Sequence, residues 1–172
     1  RVHFGTGWVR EGAHELFAAA VHLHEPLLPL STRENALARV RARQVPALAE
    51  LRLHTGTLWP WNRPVYDPAD GGHLRIELRA LPAGPSAADM MANAAFALGL
   101  ARALRDRIDD WLPGIPFAIA ESNFYRAAEH GLDAQLLWPD AGGALARRNA
   151  AEIALELLPL AARGLRALGV QA

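Results

Sequence analysis

The stretch His73–Pro82, "HLRIELRALP", sets His73, Arg75, Glu77 and Arg79 at every second position, with Leu74, Ile76, Leu78 and Ala80 between them. In an extended segment such alternation puts the four polar side chains on one face. A solvated strand face laced with ion pairs is the plainest reading. The order of the row also carries chemistry, because Arg75, Glu77 and Arg79 span about 13 Å of strand. Arginine forks grip phosphate or carboxylate with two prongs. A glutamate between them suits Mg²⁺ whose other ligands are phosphate oxygens. Arg63, beside Asn62 in the proline-rich loop "PWNRPVYDPADGG", offers another cation, and Trp59 and Trp61 flank the same region.

Other residues with chemical potential are less convergent. His22 and His24 in "VHLHE" would share a face if extended and, with Glu25, could bind zinc, but no third ligand motif accompanies them. Ser86 and Ser122 sit in nothing like a nucleophile elbow, and the "GTG" and "AGG" runs are not phosphate loops. The 172 residues contain no cysteine, which excludes disulfides and thiolate chemistry. Every one of the 18 basic residues is arginine, so lysine chemistry is excluded as well. Zero net charge removes any bulk electrostatic case for nucleic acid or an acidic membrane. No run approaches the roughly 20 apolar residues of a spanning helix, and no signal peptide is visible.

The elements that must position the row are legible in outline. Residues 1–9 read as a short strand or arm, and 12–24 as a helix ending before Pro26. Ser31 with Glu34 forms a capping box opening a helix through Leu37, Val40, Leu48 and Leu51, kinked at Pro46. "LRLHTGTLW" (51–59) alternates and reads as a strand, followed by the strand at 73–82. A long helix spans about 87–110, with Met91, Ala95, Leu98, Ala101, Leu104 and Ile108 as its core face. Asn123 is expected to cap a short helix stopped by Gly131. A last amphipathic helix covers about 145–168 with a kink at Pro159. The composition, 51% hydrophobic and 21% charged, is globular. The expected fold is α+β and helix-rich, with a small antiparallel sheet in a single domain or fragment.

The segments "LHTGTLWPWNRPVYD", "HLRIELRALPAGPSAADMMANAAFALGLARAL" and "NFYRAAEHGLDAQLLWPD", covering about 51–140, resemble the C-terminal half of the glutamine synthetase superfamily. Within it, the closer resemblance is to bacterial glutamate–cysteine ligase-like (carboxylate–amine ligase) proteins. The resemblance implies an ATP-dependent ligase that joins an acid to an amine through an acyl phosphate. In that role Arg75 and Arg63 would contact ATP phosphates, with Arg75 stabilising the transferring phosphoryl group. Glu77 would bind Mg²⁺, and Arg79 would clamp the carboxylate of an amino-acid substrate. It also implies a cytoplasmic protein in which this chain forms one wall of the site, and the metal-binding carboxylates of an N-terminal half complete it. Asp67, Asp70 and Glu121 are further carboxylates without a motif. An uncovered sheet edge would favour a symmetric homodimer. A non-catalytic ligand-binding or assembly domain of the same fold is the alternative.

Overall fold

A computed structural model describes residues 1–170. The fold is α+β and helix-rich, with three two-stranded sheets, and the chain divides into two compact units, Arg1–Ala80 and Leu81 onward. Among the described residues no helix is long and apolar enough to cross a membrane.

The first unit runs β1 (Val2–His3), α1 (Ala13–Leu23), α2 (Ala36–Arg41), α3 (Ala49–Gly56), β2 (Trp59–Pro60), β3 (Asn62–Asp67) and β4 (His73–Leu78). β1 and β2 pair in parallel, Val2 against Trp59. β3 and β4 form an antiparallel hairpin in the register Arg63↔Glu77, Val65↔Arg75 and Asp67↔His73.

Two expectations fail here. The single kinked helix from Ser31 to Leu51 is two short helices separated by left-handed backbone at Arg43 and Leu48. Asn35, not Ser31, caps α2, its side-chain oxygen accepting from the Ala38 N–H at 2.9 Å. Glu34 instead accepts from the N–H groups of Ala47 (2.8 Å) and Leu48 (3.0 Å) at the entry to α3. A carboxylate there satisfies orphan donors and complements the positive helix end. Thr32 reaches Glu50 from the same segment. The expected strand at 51–59 is mostly α3, because short alternating runs do not discriminate helix from strand. Once Glu34 anchors its start, Thr55 closes the last turn on the Leu51 carbonyl. His54 fastens α3 to α1 through the Ala20 carbonyl at 2.9 Å.

The second unit runs α4 (Ala87–Leu104), α5 (Ile108–Trp111), α6 (Phe117–His130), β5 (Gln135–Pro139), β6 (Leu145–Asn149) and α7 (Ala150–Ala167). Ser86 caps α4: the Asp89 N–H donates to the Ser86 hydroxyl at 3.2 Å, and that hydroxyl donates to the Asp89 carboxylate. The buried side of α4 runs through Gly99, whereas Met91, Leu98, Ala101 and Ile108 of the expected core face are exposed. Gly99 and Gly164 meet where α4 crosses α7: a Cβ on Gly164 would lie 1.9 Å from the Gly99 carbonyl oxygen. Residues 145–149 are not the start of the last helix but β6, paired antiparallel with β5. The hairpin turns on Asp140, whose carboxylate accepts from the Gly142 and Ala144 N–H groups. Asn123 lies inside α6 rather than capping it; Gly131 does stop α6, with φ 58°. Pro159 lies within α7, as expected.

Several surface carboxyls are held below their usual range. Backbone N–H donors do this for Glu15 and Asp67, the Thr32 hydroxyl for Glu50, and Arg148 for Glu156. A carboxyl with a depressed folded-state pKa stabilises the fold above its unfolded pKa, and that contribution is lost as pH falls through the folded value. Stability is therefore expected to fall on acidification, the contribution of these carboxyls being lost as pH drops below about 4. Thermal unfolding midpoints measured from pH 7 to pH 2 check this; a midpoint that rises on acidification contradicts it.

Candidate functional site

The β3–β4 hairpin builds the charged face. Arg79 donates its backbone N–H to the Trp61 carbonyl at 2.9 Å, which extends the ladder one residue past β4. In an antiparallel pair, hydrogen-bonded and non-bonded positions alternate. The odd residues 73, 75, 77 and 79 therefore direct their backbone groups toward β3. Pro64 falls at a position where its missing N–H costs the hairpin nothing. Side chains alternate as well, so His73, Arg75, Glu77 and Arg79 share a face with Arg63 and Asp67, as their contacts attest.

Glu77 is the hub. Its Oε2 accepts from Arg63 Nε at 2.7 Å, directly across the strands, and lies 3.1 Å from Arg79 Nε on its own strand. Arg79 is the most committed cation: Nη1 donates to the Leu58 carbonyl at 3.2 Å, and the guanidinium lies 3.8 Å from the centre of the Trp59 ring. Its side chain is only 11% exposed, so stacking and hydrogen bonds fix its direction. Arg75 sits further along and more openly. Its Nη1 is 3.1 Å from Asp67 Oδ2 and 2.8 Å from His73 Nε2. A guanidinium only donates, so His73 accepts through Nε2. The Asp67 carboxyl is lowered first by the Ala69 N–H and then by Arg75.

The sequence-predicted residues Arg63, Glu77 and Arg79 are thus brought together, with Arg75 one pair further along. Three arginines against two carboxylates leave one positive charge, which suits an anion of the phosphate or carboxylate class. A bare divalent cation at Glu77 would meet two guanidiniums about 3 Å from the same oxygen, so Mg²⁺ fits there only in company with a polyanion. Asp67 is engaged by Arg75 and Ala69. Asp70 occupies the turn between β3 and β4 with left-handed backbone (φ 51°). Glu121 belongs to α6 in the second unit. Among the described residues no group of three or more His, Asp or Glu side chains could hold a metal ion.

β4 is not a central strand: it pairs with β3 alone, and its other edge carries no strand among the described residues. His22 and His24 do not share an extended face, because the segment is the end of a helix. His22 is in the last turn of α1, while His24 is extended beyond it and faces His3, ring centres 5.5 Å apart. Burial pushes both of those imidazoles below their usual pKa. Sequence reasoning missed Leu58 and Asp67 as partners of the arginines; the hairpin register, set by the turn at 68–72, was the signal that could have found Asp67. No family model, no curated protein and no solved structure matches the chain.

Proposed function

We propose that this chain supplies one wall of an ATP-dependent carboxylate–amine ligase of the glutamate–cysteine ligase-like kind. The observation that carries the reading is the Arg63–Glu77–Arg79 cluster, with Arg75 beside it on one hairpin face. In this role Arg63 and Arg75 hold the nucleotide phosphates. Arg75, the more open of the two, faces the phosphoryl group as a substrate carboxylate oxygen attacks the γ-phosphorus and ADP leaves. An amine then attacks the acyl carbon and phosphate departs. Arginines neutralise the charge that builds on the transferring oxygens. Arg79, aligned by Trp59 and Leu58, clamps the carboxylate of the amino acid. Glu77 would help hold Mg²⁺ brought in with the polyphosphate, and the ion would supply further neutralisation of phosphate charge. Further metal-binding carboxylates come from an N-terminal half of the same protein.

Titration calorimetry of the purified chain with ATP and Mg²⁺ tests the reading. ATP is expected to bind, and Arg75→Ala or Arg63→Ala to weaken it about tenfold, the worth of one charge-assisted contact. Turnover with ATP, Mg²⁺, glutamate and cysteine is expected to be nil for this chain alone. Failure of ATP to bind, or binding that ignores both substitutions, overturns the proposal. A second reading, a non-catalytic domain for a small carboxylate ligand, draws on the engagement of Glu77 by two arginines. It predicts carboxylate binding that depends on Arg79 with no response to nucleotide.

A further inference from the structure

The open edge of β4 has an unusual property: its sequence is palindromic in character about Ile76. Leu74, Arg75, Ile76, Glu77 and Leu78 read apolar, positive, apolar, negative, apolar. We infer that β4 pairs with β4 of a second copy of this chain, antiparallel, on a two-fold axis through Ile76. This inference stands on the edge strand alone and is independent of the ligase reading.

Backbone geometry supports it first. The odd residues of β4 spend their N–H and C=O groups on β3, as the Arg79–Trp61 bond fixes. Leu74, Ile76 and Leu78 therefore turn theirs to the open edge. Around an axis at Ile76, Ile76 meets Ile76 of the second copy and Leu74 meets Leu78, so every pair consists of edge-facing residues. About six new backbone hydrogen bonds form. A shift of one residue would bring edge-facing residues opposite residues already bonded to β3, and would lose those bonds.

Side chains agree in the same register. On one face Leu74, Ile76 and Leu78, which are 55%, 49% and 42% exposed, cover one another across the axis. On the other face Arg75 of one copy stands opposite Glu77 of the second, twice over. These are the non-bonded pairs, where strands bring side chains closest and opposite charges stabilise. β4 also contains no proline to interrupt pairing along that edge. The two charged faces then join into one, each Glu77 gaining an arginine from the other copy.

The absence of cysteine permits a clean test of register. Directly opposed residues in a bonded pair lie about 5.5 Å apart at Cα, inside the span of a disulfide, about 4.4–6.8 Å. Under mild oxidation Ile76→Cys is expected to give a disulfide-linked dimer. Leu74→Cys and Leu78→Cys are each expected to stay monomeric on a non-reducing gel, and an equal mixture of the two to cross-link. In sedimentation the unmodified chain should dimerise at micromolar concentration, and Ile76→Lys should raise the dissociation constant by at least about tenfold. A monomeric unmodified chain, a dimer indifferent to Ile76→Lys, or cross-linking of Leu74→Cys alone as readily as Ile76→Cys would each overturn the inference.

Discussion

Gly164→Ala is expected to destabilise the second unit by about 3 kcal/mol, although alanine is intrinsically better than glycine inside a helix by about 1 kcal/mol. The added methyl would sit 1.9 Å from the Gly99 carbonyl oxygen and 2.8 Å from its carbon. Those atoms are backbone, so no rotamer change can relieve the overlap. The helices must separate, which opens the packing around Ala161, now 3% exposed. Gly99→Ala meets the Ala161 carbonyl oxygen at 2.3 Å and should cost a similar amount. The double variant should cost clearly less than the sum, since one separation of α4 from α7 accommodates both methyls. Urea unfolding followed by far-ultraviolet circular dichroism measures this. An Ala variant as stable as the parent would mean the crossing is looser than described.

Asn123→Ala should be comparably damaging, by about 3 kcal/mol, for a different reason. The Asn123 amide donates to the Leu137 carbonyl at 2.7 Å and accepts from the Leu137 N–H at 2.9 Å. Asn123 is buried, so its removal leaves both backbone groups of Leu137 without these partners, at about 1–3 kcal/mol each. Asn123→Asp keeps the acceptor but sets a carboxylate oxygen against the Leu137 carbonyl, so it should not rescue. Hydrogen exchange gives the specific signature: the Leu137 amide should lose protection in Asn123→Ala, beyond what global destabilisation predicts, and keep it in Asn123→Asp, where an acceptor remains. Unchanged Leu137 protection in Asn123→Ala would count against this account.

Local signals were readable where local physics decides. The alternation at 73–79 defined β4 and put its charged residues on one face. The start of α4 near residue 87 was legible, and Gly131 marked the end of α6. Non-local pairing hid the rest. "LARRN" at 145–149 is made of residues that tolerate a helix and runs directly into the helical "AAEIALELL". Only its partner "QLLWP" makes it a strand. Asn123 resembles a cap because asparagine usually serves at helix ends; what it grips is 14 residues away. In alanine-rich α4 several stripes are nearly equivalent in hydrophobicity, so periodicity could not select the one through Gly99. At the charged face, the residue types and shared side were visible in advance. The choice of Glu77 as common partner of Arg63 and Arg79, and of Asp67 for Arg75, depended on a register no linear pattern states.

The crossing of α4 with α7 also bears on when the protein can mature during synthesis. Gly99 and Gly164 are separated by about 65 residues, a loop whose closure cannot be rewarded until both glycines are available. The two hairpins, by contrast, close over a few residues and can form as soon as each leaves the ribosome. At the slow pace of translation, α4 therefore spends several seconds outside the exit tunnel before its packing partner arrives. During that interval the surface around Gly99 is open to solvent and to chaperones. A pause or truncation before Gly164 would prolong the exposure, making the last helix the gatekeeper of this unit's escape from quality control.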